Sequence, residues 1–225
     1  MDPHALLKIL QIASPAFPIG AYAYSQGLEW AVESGAVSNE AQAQAQAWIL
    51  GLAQHTMQCV DVPILARIYR AHAAHDGQAV HDWAQWFYAS RESAEFRLET
   101  LQMGRACAQA LTALGVADAD EWRTAANAST VALYALAAVH WHIALADIAY
   151  AYVWAWAENQ TACAMKLVPL GQTAGQRMLA HIADAIPAIV SAGLALPDED
   201  IGYFAPALAV GSALHETQYT RLFRS

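Results

Sequence analysis

The chain has 225 residues, 57% hydrophobic and only 14% charged, so it can bury a large core and does not have the composition of a disordered protein. A net charge of −9, without clustered Lys and Arg, argues against binding to a nucleic-acid backbone. The three cysteines, Cys59, Cys107 and Cys163, form no CxxC pair and fit buried thiols in a reducing compartment.

The first residues, Met1-Asp2-Pro3-His4, lack the basic region and apolar run of a secretory signal. Leu10–Gly20 reads as an extended, proline-punctuated turn, since Pro15, Pro18 and Gly20 together fix a rigid elbow. Ala21 then opens a helix that ends near Gly35. Ala41–Val60 predicts a helix, with Trp48, Ile49, Leu52 and Met57 at helical spacing. Asp61 is the expected N-cap of the next helix, with Pro63 in its first turn and Ile64, Leu65, Ile68 and Tyr69 on one apolar stripe. Gly77 precedes a short helix carrying Trp83, Trp86 and Phe87.

Glu92–Leu114 predicts a long amphipathic helix. Phe96, Leu98, Leu101, Met103, Cys107 and Leu111 face inward, and Gly115 closes it. Two very apolar helices follow, Thr130–Val139 and Ile148–Val168, the second stopped by Pro169-Leu170-Gly171. The apolar runs Val131–Val139 and Ile148–Ala157 are separated by His140, His142 and Asp147. Neither reaches the ~18 apolar residues of a spanning helix. A last long helix, Thr173–Ala192, carries Pro187, where a kink or break is expected. Leu196–Pro206 reads as loop. With no strand-period run in view, the fold class is all-α, a single-domain multi-helix bundle over 1–211 with a tail, 212–225. Soluble, cytoplasmic placement without membrane contact is the corresponding expectation.

That tail concentrates Leu214, Tyr219, Leu222 and Phe223 with Arg221 and Arg224, the residue types that anchor interfaces. It predicts a docking peptide, and a tail tucked against its own domain is the plainer alternative. Chemistry is sparse elsewhere. His72 and His75 with His81, and His140 and His142 with Asp147, are the closest approach to metal clusters. They read better as a solvated helix end and as a turn between apolar helices. Glu92, Glu95 and Glu99 share a helix face beside Arg91 and Arg97, and read as a solvated, salt-bridged surface. No nucleophile elbow, P-loop or dinucleotide fingerprint is present, so no catalytic residue, cofactor or metal ligand is predicted. Two segments remain that are specific without being catalytic. One is the elbow with Tyr22, Tyr24 and Glu29. The other is Lys166-x-x-Pro169-Leu170-Gly171-Gln172 followed by Gln176, built around one of only two full cations between Thr124 and Thr220.

Four ordered stretches, LQIASPAFPIGAYAYSQGLE, RESAEFRLETLQMG, ENQTACAMKLVPLGQTAGQR and HETQYTRLFRS, give the chain an end-to-end resemblance to the urease accessory protein UreF family. Gln26 and the His140-Trp141-His142 turn depart from that family's pattern. The resemblance implies a non-catalytic, cytosolic helical scaffold and GTPase regulator that supports nickel insertion into apo-urease. It implies a UreD/UreH-like partner, meeting Tyr22, Glu29, Tyr219, Arg221, Leu222, Phe223 and Arg224, and a UreG-like GTPase, meeting Lys166, Gln172 and Gln176. It also implies a homodimer through Tyr150 and Trp154, which lie four apart and so share a helix face. On partner binding, Arg221 is expected to fold toward Tyr22 and Glu29, ordering a tail that is free in the unbound chain. The reading from another class is a helical enzyme with a small-molecule pocket between its two apolar helices.

Overall fold

Alanine, leucine and glutamine dominate the long segments, and these residues lose little freedom in a helix. The structure, a computed structural model, describes residues 2–38, 42–202 and 205–225, and its regular elements are all helical. In chain order they are α1 (Pro3–Ala13), α2 (Leu28–Glu33), α3 (Gln42–Leu52), α4 (Val62–Ala73), α5 (Gly77–Ala89), α6 (Ala94–Ala113), α7 (Thr130–His140), α8 (Leu145–Leu167), α9 (Gln172–Ala195) and α10 (Pro206–His215). A π-helical stretch, Ala53–Asp61, joins α3 to α4, and short 3-10 turns cover Ala21–Ala23, Ala117–Arg123 and Asp198–Asp200. The fold class is all-α.

The core is centred on α7, where every residue from Val131 to Ala138 is buried. Helix α7 packs against α4, α6 and α8, while α8 runs along α9 and is covered at one side by α1. Helix starts are set by local chemistry. Asp76, Ser93 and Ser129 accept hydrogen bonds from the amides of Ala79, Phe96 and Ala132, caps each worth about 1 kcal/mol. Gly115, at φ +90°, supplies the left-handed residue that ends α6.

Several boundaries differ from the sequence reading. Leu10–Ala13 belongs to α1, because Ala5, Ile12 and Ala13 give that helix a buried face; the elbow begins at Ser14. The helix predicted from Ala21 is a 3-10 turn followed, after Gly27 at φ +78°, by the short α2. Ala41, the predicted start of the following helix, lies outside the described residues, and α3 continues into the π-helical stretch rather than ending at Val60.

Asp61 is not a cap. Its backbone is helical, and the amide of Val62 is already bonded to the carbonyl of Met57, so no helix starts there to be capped. Leu98 faces solvent instead of the core. Helix α9 runs unbroken through Pro187, with Ile182, Ile186, Ile189 and Val190 buried on both sides of it. By length and apolarity α9 could cross a bilayer (mean hydropathy 1.6); here it packs on α8, α4, α3 and the π-helical stretch. Tyr203 and Phe204, in the predicted loop, also lie outside the described residues. Helix α10 spans the division drawn at residues 211 and 212, so the non-helical tail starts after His215.

Candidate functional site

The tail lies docked on its own chain. Leu222 and Phe223 donate their backbone amides to the two oxygens of Glu29, at 2.6 and 2.9 Å. Arg221 reaches Glu95 at 2.8 Å. His215 is fully buried between the two acids, with Nδ1 2.7 Å from Glu95 Oε2 and Nε2 3.1 Å from Glu29 Oε2. Ser225 is also buried: its carbonyl accepts from the amide and hydroxyl of Ser25, and its hydroxyl donates to Glu99. The Phe223 ring is buried, with the Lys166 ammonium 5.3 Å from its centroid. Upstream, Ser93 and Ser212 share a hydrogen bond, and the Ala94 amide donates to Glu216.

This geometry corrects two expectations. The glutamate face of α6 is not a solvated surface. Glu92 is exposed, but Glu95 and Glu99 turn inward to hold the tail, and burial pushes the Glu99 carboxyl above the usual carboxylate range. Arg221 pairs with Glu95 rather than with Tyr22 or Glu29, and the tail is docked on its own chain. Charge-assisted bonds to Glu29 and Glu95, together with burial of Phe223, offset an ordering cost of about 1–2 kcal/mol per residue. The plainer alternative, a tail tucked against its own domain, describes what is seen.

The predicted residues divide into four groups. Glu29 and Phe223 lie inside the docked network. Tyr219, Leu222, Arg224 and Tyr22 face solvent, Leu222 at 72% and Tyr22 at 71% exposure. Lys166, assigned to a different surface from the tail, meets it directly through Phe223, while Gln172 and Gln176 are exposed on the first turns of α9. Tyr150 and Trp154, 39% and 37% exposed, lie on α8 beside the exposed Leu10 of α1, bordering a shared groove.

Ser25, Glu95 and Glu99 escaped the sequence reading as tail partners, as did Gln26 and His215, which bond the acids that hold the tail. Charge counting gave no signal, since α6 carries two acids, Glu95 and Glu99, and two cations, Arg97 and Arg105.

A second feature lies under the elbow: a partly enclosed cavity of about 170 Å³. It is bordered by both apolar helices, through Thr130 and Tyr134 of α7 and Tyr152 and Trp156 of α8. Asp61, set at the end of the π-helical stretch, accepts a hydrogen bond from Tyr152 at 2.9 Å and lies 3.5 Å from Arg91. Burial raises the Asp61 carboxyl above its ordinary range, and burial with the neighbouring Asp61 charge raises the Tyr152 phenol. Among the described residues, no group of three or more His, Cys, Asp or Glu is arranged to hold a metal ion. His75 sits past the end of α4 at φ +56°, off the helical spacing that would pair it with His72.

Fold and site define an all-α protein whose buried ionic network fastens its own C-terminal segment and leaves aromatic and apolar groups at the surface. The UreF family model matches residues 39–183. Three relatives, each called urease accessory protein UreF, align over nearly the whole chain. The protein of Alkalilimnicola ehrlichii is 48% identical over 97% of this chain and 95% of its own length. Those of Alcanivorax borkumensis and Methylobacillus flagellatus are 42% and 44% identical, covering 100% and 98% of both chains respectively. The chain belongs to the UreF family.

Proposed function

We propose that this protein supports urease maturation as a non-catalytic scaffold in the cytoplasm, acting with a UreD/UreH-like protein and regulating a UreG-like GTPase during nickel insertion into apo-urease. Family membership supplies the process. The observation that carries the docking role is the tail itself, which is held by a buried network yet presents Tyr219, Leu222 and Arg224 to solvent beside Tyr22.

In this reading the UreD/UreH-like partner covers that aromatic and apolar surface, with Glu29, Arg221 and Phe223 fixing its shape from beneath. The residues after His215 are the docking tail proper. The GTPase meets Lys166, Gln172 and Gln176, where α8 ends and α9 begins. Two copies of the chain meet through Tyr150 and Trp154.

Urease activation at limiting nickel, with and without this protein, tests the proposal, combined with co-purification of the two partners. Full activation without it, or failure to retain either partner, rejects the reading.

A further inference from the structure

The cavity beneath the elbow shares Glu99 with the tail network and Tyr22 with the proposed partner surface, and its chemistry is unbalanced. The charged groups that line it are Asp61, Glu99, Glu158 and Arg91, three carboxylates to one guanidinium. Arg91 is stacked on Phe87, 4.0 Å from the ring centroid, and offsets at most one of them. Buried carboxyls without a counter-charge are pushed toward their neutral forms, the direction seen at Asp61 and Glu99, and a bound cation would hold the same groups ionised.

Hydrogen-bond capacity points the same way. Tyr152 donates a hydrogen bond to Asp61, Gln26 and Ser225 donate to Glu99, and Trp156 donates to Gln26. Asn159 spends its amide hydrogen on the Tyr24 carbonyl. Each carboxylate oxygen of Asp61 and Glu99 accepts one bond and keeps room for a further one, while Arg91 Nε is buried without a partner. The rest of the wall is aromatic, with Phe17, Tyr134, Tyr152 and Trp156 presenting the ring surfaces that attract cations.

Size and access narrow the ligand. A volume of about 170 Å³ is close to the ~150 Å³ that accepts a benzene-sized molecule. The exposed Pro15 and Tyr22 of the elbow also border the cavity, which places an opening on that side. Three of the four stretches that carry the family resemblance converge here, through Phe17 and Tyr22, through Arg91 and Glu99, and through Glu158 and Asn159.

We propose that this cavity binds a small organic cation, an ammonium or guanidinium of about six non-hydrogen atoms, held by Asp61 and Glu99 against the rings of Tyr152 and Trp156. The donors of the cation fill the vacant acceptor positions, and its charge neutralises the surplus carboxylate.

Calorimetric titration of the full chain with butylammonium and methylguanidinium, at constant ionic strength, tests this. Butyrate, butyramide and magnesium chloride serve as anionic, neutral and hydrated-metal comparators. Saturable binding of at least one organic cation is expected, weakened about tenfold or more by Asp61→Asn. Ala155→Leu, which fills the cavity without altering its charges, is expected to abolish binding; circular dichroism confirms that each variant folds. The proposal is overturned if neither cation binds, if a comparator binds as well as both cations, or if a folded Ala155→Leu protein binds like wild type. Should Asp61→Asn fail to fold, Tyr152→Phe replaces it, with weaker cation binding expected and unchanged binding overturning the proposal.

Discussion

Single residues in this protein carry opposite pH signatures according to what burial does to their charge. Burial lowers the His72 imidazole to about 4, and its Nε2 is buried without a partner. Because the folded value lies below the ordinary 6.5, the neutral ring contributes stability above that pH, and the contribution is lost as pH falls from 6.5 toward 4. His72→Leu should therefore raise stability relative to wild type more at pH ~5 than at pH ~7.5, by about 1 kcal/mol, read from urea melts at the two pH values. Asp61 and Glu99 have the reverse sign. Their raised folded values mean that stability falls as pH rises from the ordinary carboxylate range through the raised one. Comparing mutant with wild type at each pH cancels that shared trend. Gly104 is a packing case, since a Cβ there would lie 2.5 Å from the Ala128 carbonyl carbon and 2.6 Å from its oxygen. Gly104→Ala should force α6 away from the segment before α7 and cost about 1–3 kcal/mol in the same melts.

At the scale of elements, the tail behaves as part of the fold. Deleting Gln218–Ser225 exposes the Phe223 site and leaves Glu29 and Glu95 without the amides and the guanidinium that now meet them. The loss should be about 2–4 kcal/mol, seen as a lower melting temperature in calorimetry. A double substitution, Tyr219→Ala with Leu222→Ala, touches only exposed side chains and should leave stability within about 0.5 kcal/mol. If the docking role is right, the same pair of changes reduces capture of the UreD/UreH-like partner. Loss of stability and loss of capture are then separated. Lys166 links this element to the next, because its stacking on Phe223 joins the tail to the turn between α8 and α9.

For the whole molecule, the exposed aromatic pair on α8 predicts self-association. If two copies meet through this pair, the wild type should be a dimer by light scattering and Tyr150→Ala with Trp154→Asp a folded monomer. An unfolded product would mean that the pair belongs to the core of one chain.

Composition and periodicity were enough to establish an all-α chain, because alanine-rich segments and apolar stripes at helical spacing leave no competing strand pattern. A helix end with a local cause was legible too: Gly115 closes α6 through its own left-handed dihedral. The site was legible only in part. Tyr22, Glu29 and the tail stood out by residue type, but their partners did not. The glutamates of α6 look the same in sequence whether solvent or a buried histidine faces them. Asp61 resembles a cap until the π-helical stretch before it runs on into α4, so that no helix starts there. Contacts such as Glu29 to Phe223, separated by 194 positions, are set by how helices stack. Which carboxylates were buried, and what neutralises them, was therefore decided by the tertiary structure alone.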